Sequence, residues 1–153
     1  MLVIDGTILL ALAVQAPQSG PVASLLEEAG EALAAPQAAL VEALEGARQL
    51  MKEGHLAQAD FEQLPALLPP LLSVLAADAA LLPRAVHFAA VYDLKLAASL
   101  ALALAEARGA PLMTLDSQLA HAALDALGAE RVLQPAGAVA EPASADGVSS
   151  TGA

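Results

Sequence analysis

Two aspartates in the sequence each follow a short apolar run, where a carboxylate could take part in chemistry. Asp5 ends the run Met-Leu-Val-Ile-Asp, and Asp116 ends Pro-Leu-Met-Thr-Leu-Asp. A third acid, Glu42, lies in the first turns of a helix predicted over 38–53. A carboxylate in apolar surroundings costs free energy unless it is paired or bound to a metal. Because clusters that offer only carboxylate oxygens suit Mg²⁺ or Mn²⁺ rather than zinc, these acids are candidate ligands of such a cation.

Each of the three acids also has a purely structural interpretation. An aspartate directly before a helix can accept hydrogen bonds from the first backbone N–H groups as an N-cap, which suits Asp5 and Asp116. Glu42 could be a solvated helix charge or a partner of the helix dipole. Taken singly, each acid fits its structural role, whereas the three together favour a functional site.

Short apolar runs alternate with helical patterns along the chain and must position these acids. Helices are predicted over 24–33, 38–53, 57–68, 81–92, 96–108 and 117–127, and short strands over 2–4, 71–75, 112–114 and 131–133. Residues 34–40, around Pro36, are predicted to form a short strand or a turn. Proline is expected to interrupt the helix over 57–68 at Pro65. Four or five short strands separated by helices predict an α/β fold with a parallel sheet covered on both faces. In such a sheet, ligands bind beyond the carboxyl ends of the strands.

The composition excludes several kinds of site and of binding surface. The 153 residues fit one domain, and the lack of cysteine excludes a disulfide framework, a thiolate metal site and cysteine catalysis. Six basic against 17 acidic residues give a net charge of −11, which excludes a large basic nucleic-acid footprint.

The apolar N-terminal part raises the question of a membrane segment or a secretory signal. Its longest uncharged run, 6–26, is broken by glycine, glutamine and proline, and no basic residue precedes it. We therefore expect a cytoplasmic protein without a membrane segment. The Ala-, Gly-, Ser- and Pro-rich end of the chain, 134–153, is expected to be a disordered tail after a domain over 1–133.

Four segments carry a resemblance to a known family. They are Met-Leu-Val-Ile-Asp-Gly-Thr at 1–7, Ala-Pro-Gln-Ala-Ala-Leu-Val-Glu at 35–42, Met-Lys-Glu-Gly-His-Leu at 51–56 and Gly-Ala-Pro-Leu-Met-Thr-Leu-Asp at 109–116. In order and spacing, residues 1–133 resemble PIN-domain ribonucleases, specifically the small VapC-type toxins. The resemblance implies a PIN-like three-layer α/β/α fold with a four- or five-stranded parallel sheet. It also implies an endoribonuclease in which about four acids hold one or two Mg²⁺ or Mn²⁺ ions that activate water.

The resemblance assigns roles to five residues of this chain. Asp5, Glu42 and Asp116 match the first, second and fourth acids of the family, which are both catalytic and metal-binding. Thr7 and Thr114 match the hydroxyl positions beside the first and last of these acids.

The third acid of the family is missing from this chain. An ungapped match places Ala98 at its position. Asp93 would need an insertion of five residues, which on a helix rotates a side chain by about 140° and moves it by about 7.5 Å. Glu45 shares a helix face with Glu42 and could restore the charge as a fourth metal ligand, although it could equally be a solvated helix charge.

The sequence thus leaves two functions open. One is a Mg²⁺- or Mn²⁺-dependent endoribonuclease, the toxin of a toxin–antitoxin pair, acting on single-stranded or structured RNA. The alternative is a catalytically inactive PIN-fold module that binds a partner or regulates. The resemblance also implies a homodimer with an antitoxin protein as a further partner. A chance resemblance in an unrelated small α/β protein is the third interpretation.

Overall fold

Five parallel strands lie between two layers of helices in the computed structural model, which describes residues 1–135. The elements in chain order are β1 (Leu2–Ile4), α1 (Gly6–Ala13), α2 (Ser19–Ala29), β2 (Leu33–Pro36), α3 (Gln37–Lys52), α4 (Gln58–Leu67), β3 (Val74–Ala76), α5 (Leu82–Tyr92), α6 (Leu96–Arg108), β4 (Leu112–Met113), α7 (Ser117–Leu127) and β5 (Val132–Leu133). The predicted fold class is confirmed. The predicted tail lies outside the described residues, except for its first two positions.

The strand order is β3-β2-β1-β4-β5, with β1 in the centre. Val3 pairs in register with Ala34 of β2 on one side and with Leu112 of β4 on the other. All these pairings are parallel, so the carboxyl ends of the strands share one edge of the sheet. Asp5 directly follows β1 at this edge, and Asp116 follows β4.

Alternation along β1 divides the core into two parts. Leu2 and Ile4 are buried against α1 to α4, whereas Val3 is buried against α5 to α7. Successive side chains of a strand point to opposite faces, so a strand covered on both faces has to be apolar throughout. This explains why the strands appear in the sequence as short uninterrupted apolar runs.

Helix α1 packs closely on α3. A Cβ atom added to Gly46 of α3 would lie 2.7 Å from Cδ2 of Leu10 in α1, so the absence of a side chain allows the two helices to approach. All residues of α1 except Thr7 are apolar or glycine, which leaves no polar stripe to give the segment an amphipathic pattern.

Helix α1 was not predicted from the sequence, and three other elements have different bounds. They are α2 at Ser19–Ala29 instead of 24–33, β2 at Leu33–Pro36 instead of 34–40, and β3 at Val74–Ala76 instead of 71–75. Pro65 does not interrupt α4; it lies on the exposed side of that helix. Its neighbours Leu64 and Leu68 are buried, and their packing holds the helix together although proline removes one backbone hydrogen bond.

Within residues 1–135, no single helix is long and apolar enough to cross a membrane. Residues 79–92 and 96–108 reach that length and hydropathy only as a pair, which is bent by 117° at the break between them.

Candidate acidic active site

Asp5 is completely buried and anchors the site at the end of the central strand. Its Oδ1 accepts hydrogen bonds from the backbone N–H groups of Thr7 (3.1 Å) and Ile8 (3.2 Å), so the N-cap interpretation is confirmed. The same Oδ1 accepts from Oγ1 of Thr7 at 2.6 Å, and Oδ2 accepts from Oγ1 of Thr114 at 2.6 Å. The capping role and a place in an acidic site are therefore compatible in one residue.

The two threonines join the loops that follow β1 and β4. Oγ1 of Thr7 accepts from the backbone N–H of Leu115 at 3.0 Å, and Oγ1 of Thr114 accepts from that of Asp116 at 2.9 Å. Each hydroxyl therefore donates to Asp5 and accepts from the β4 loop. This network fixes the orientation of the Asp5 carboxylate and its distance from Asp116.

Asp116 caps α7 with one carboxylate oxygen only. Its Oδ1 accepts from the N–H groups of Gln118 (2.9 Å) and Leu119 (3.3 Å), which confirms the second N-cap. No residue in the described part of the chain hydrogen-bonds to its Oδ2. Asp116 is half-buried, so this oxygen is available to a ligand in the adjacent cavity.

Glu42 reaches the site from α3. Its Oε1 accepts from the backbone N–H of Gly6 at 2.8 Å. A Cβ atom at Gly6 would lie 2.6 Å from both Cβ and Oε1 of Glu42, so glycine is the residue that allows this contact. The close approach of α1 and α3 thus brings Glu42 to the end of β1.

The neighbouring carboxylates of the cluster alter the ionisation of Glu42 and Asp5. Burial, followed by the charges of Asp5 and Asp116, raises the pKa of Glu42 to about 7 although its hydrogen bond from Gly6 opposes the shift. Burial also raises the pKa of Asp5, against the hydrogen bonds from Thr114, Thr7 and Ile8, and the charge of Asp116 adds to the increase. The cluster therefore has an excess of negative charge that a cation would relieve.

A cavity of about 780 Å³ opens over this cluster. Glu42, Asp116 and Thr7 line it, whereas Asp5 lies beneath it. The cavity wall is completed by residues that the sequence analysis did not single out, chiefly Asp78, Lys95 and Ala97, together with two glutamines, Gln37 and Gln49.

Asp78 is the most informative of the residues that sequence reasoning missed. It stands two residues after β3, at the same edge of the sheet as Asp5 and Asp116, and its Oδ1 is buried without a hydrogen-bond partner. The rule that acids at strand ends are candidates would have found it had β3 been predicted at its actual position. Lys95 directly precedes α6, and its charge opposes the rise in the pKa of Glu42.

The two positions proposed around the missing acid have different surroundings. Glu45 borders the cavity, but its Oε2 accepts from Nη2 (2.6 Å) and Nε (2.9 Å) of Arg48 on the exposed side of α3. Arg48 lowers the pKa of Glu45 through this contact. Ala98 is the third residue of α6 and is 1% exposed, within the core beside α5 and α7.

The residues present fit a hydrated Mg²⁺ or Mn²⁺ ion. Among residues 1–135, no three Asp, Glu or His side chains converge closely enough to enclose an ion directly. Mg²⁺ usually keeps several of its waters and takes only one or two protein carboxylates, so such a cage is not required. The free Oδ2 of Asp116, the mutual repulsion of the carboxylates and the unpartnered Oδ1 of Asp78 all favour a cation here.

Comparison with known proteins agrees with the resemblance that the sequence carries. A family model described as PIN domain matches residues 2–124. The fold is similar to the crystal structure of PAE2754 from Pyrobaculum aerophilum, with a TM-score of 0.57 and 20% identity over 87% of this chain and 89% of that one. It is also similar to Mycobacterium tuberculosis VapC20, described as a sarcin–ricin loop cleaving toxin, with a TM-score of 0.62 and 15% identity over 80% of this chain and 95% of that one. Identities this low show the fold alone, and the curated proteins contain no match.

Proposed function

The chain belongs to the PIN domain family, and we propose that it is a Mg²⁺- or Mn²⁺-dependent endoribonuclease of the VapC toxin type. The observation that carries the proposal is the cluster of Asp5, Glu42 and Asp116 at the carboxyl edge of the sheet, beside an open cavity. The structural similarity to VapC20, described as a sarcin–ricin loop cleaving toxin, supports the same reaction class.

The residues of the chain have separable roles in this reaction. A bound divalent ion would supply an activated water and stabilise the charge that develops on the phosphodiester. Glu42 and Asp116 face the cavity and would hold the ion, with Asp5 beneath them as the buried carboxyl of the same cluster. Thr7 and Thr114 orient Asp5 by donating to its two oxygens, so they act on the site through that carboxylate.

The alternative is a catalytically inactive PIN-fold module. It is favoured by the apolar surroundings of Ala98, where the family resemblance leads us to expect the third acid. The net charge of −11 also favours an inactive module, because a chain with few basic residues neutralises few RNA phosphates and so binds RNA weakly.

Metal binding and cleavage together distinguish the two functions. We expect calorimetry to detect Mn²⁺ binding, and labelled single-stranded and hairpin RNAs to be cleaved in Mn²⁺ but not in EDTA. Asp116→Asn should lower both metal affinity and cleavage while retaining the helix cap, since asparagine is an equally good N-cap. Asp60→Asn, the same change at an exposed position of α4, is the control that should leave both unchanged. Absence of Mn²⁺ binding at millimolar concentration would favour the inactive module.

The proposed toxin role also implies partners and a cellular location. We expect RNA as substrate, a small antitoxin protein as inhibitor, a homodimer as the assembly, and the cytoplasm as the location. The homodimer is supported by three exposed leucines in the segment from α4 to the edge strand β3, namely Leu67, Leu71 and Leu75.

A further inference from the structure

Positive charge is scarce in this protein, so the position of each basic residue is informative. Four of the six have polar partners: Arg48 pairs with Glu45, Arg84 pairs with Glu106, Arg131 donates to the carbonyls of Ala105 and Ala110, and Arg108 donates to Sδ of Met1. The two remaining residues are the only lysines of the sequence, Lys52 and Lys95. Lys52 is in the last turn of α3, whereas Lys95 lines the cavity beside the acidic cluster.

Lys95 has the geometry of a residue that is free to bind an anion in the cavity. It occupies the N-cap position of α6 with extended backbone angles (φ −64°, ψ 151°), and its side chain does not cap the helix. Within residues 1–135 it takes part in no salt bridge, although Glu42 and Asp116 line the same cavity. Its charge nevertheless acts on Glu42, because it opposes the rise in the pKa of that carboxyl.

Position 98 offers Lys95 no ion-pair partner. The family resemblance leads us to expect an acid there, three residues after Lys95, but this chain has alanine. Within residues 1–135, Lys95 is therefore an unpaired positive charge at the cavity wall.

A phosphate that enters this cavity meets at least two carboxylates, which repel it. A lysine ammonium is a compact point charge that binds phosphate oxygens, and it is the group here that can offset this repulsion. We propose that Lys95 binds a phosphate of the RNA at the acidic site and so holds the substrate backbone over Glu42 and Asp116. This inference rests on the proposed function, which it deepens by naming the residue that contacts the RNA backbone.

The test measures RNA affinity apart from cleavage. A short fluorescent single-stranded RNA is titrated with the full chain in Ca²⁺, and fluorescence anisotropy is followed at several salt concentrations. Lys95→Ala should weaken binding about tenfold and lower the slope of log affinity against log salt by about one. Lys95→Arg should restore most of the affinity. Lys52→Ala, which removes the same charge elsewhere, should change affinity by less than about twofold.

Calorimetry with Mn²⁺ on the same variants separates phosphate binding from damage to the site. Lys95→Ala should bind Mn²⁺ at least as tightly as the wild type, because it removes a positive charge beside the acids. The inference is overturned if Lys95→Ala and Lys52→Ala bind RNA equally, or if Lys95→Ala loses Mn²⁺ and RNA together. Wild-type protein that binds RNA through Lys95 but never cleaves it would instead overturn the proposed enzyme and leave this inference intact.

Discussion

Gly6 and Glu42 approach so closely in the acidic site that there is no room for a side chain at position 6. In Gly6→Ala, the new Cβ would lie 2.6 Å from Glu42, so the carboxylate must move and the hydrogen bond from the Gly6 N–H is lost. We expect Mn²⁺ affinity to fall at least about tenfold and stability to fall by about 1–3 kcal/mol. Calorimetry and urea unfolding measure the two effects.

Gly20→Ala is the matched control for that substitution. Gly20 lies in α2, and a Cβ there meets no atom within 4 Å. Alanine should therefore stabilise the helix by about 0.5–1 kcal/mol and leave metal affinity unchanged. Equal metal affinity in both variants would show that Glu42 is not a ligand.

Glu42 also makes the stability of the metal-free protein depend on pH. Its pKa is about 7 in the folded state against 4.5 as the ordinary value, so between these limits the folded state holds a proton that the unfolded state releases. Stability should therefore be higher at pH 5 and fall as pH rises towards 8, by at most about 3 kcal/mol for this residue. Asp5, with its raised pKa, acts in the same direction.

Urea unfolding in EDTA across this pH range tests the assignment. Glu42→Gln should flatten much of the dependence, because glutamine does not titrate. Glu27→Gln, at an exposed position of α2, should preserve it. A pH dependence that is the same in both variants would contradict the buried position of the Glu42 carboxyl.

At the scale of elements, the start of α6 decides how many acids the site has. Ala98→Asp should raise Mn²⁺ affinity, because it restores in the first turn of α6 the third acid that the family resemblance implies. It should also lower RNA affinity, because the new carboxylate can pair with Lys95. Calorimetry and anisotropy give these two results, and Asp5→Asn in the same background should abolish the gain in metal affinity.

The contrary outcome for Ala98→Asp is equally clear. Ala98 is 1% exposed, and a carboxylate that faces the apolar core would destabilise the fold without reaching a cation. A lower melting temperature that Mn²⁺ does not restore would show that position 98 belongs to the core and not to the site.

Elements with a clear pattern were predictable from the sequence, and those without one were not. Helices α6 and α7 have the predicted bounds, because glycine follows each of them and because Asp116 precedes α7. Helix α1 lacks polar contrast, and for that reason it was not predicted from the sequence. Proline suggested a break in α4 that tertiary packing overrides.

The residues of the acidic site were predictable only where the strands and helices that carry them have a clear sequence pattern. Asp5 and Asp116 follow strands that are apolar and easily recognised, so their position at one edge of the sheet was predictable. Asp78 follows an edge strand whose residues are only partly buried, and a shift of a few residues in its predicted bounds hid its relation to the site. Lys95 could not be placed from spacing, because its role depends on where α6 meets the cavity.

At the scale of the whole molecule, we expect a homodimer that uses the leucine surface from α4 to β3. Light scattering at micromolar concentration should give twice the monomer mass. Leu71→Glu should shift the protein towards the monomer, because it places a charge in an apolar interface. Val91→Glu changes an exposed valine of α5 on the other face of the sheet and should leave the dimer intact. A monomeric wild-type protein would contradict the expectation.

The central position of β1 has a consequence for how the protein is made. The hydrogen bond from Thr114 to Asp5 joins residues 109 positions apart, and β1 acquires its β4 neighbour only after residues 112–113 have been synthesised. Contacts of such large sequence separation form late and slow the folding of a domain. A chain emerging from the ribosome therefore carries Asp5 and Glu42 long before it carries Asp116. A nascent chain that ends before Asp116 has no assembled acidic site.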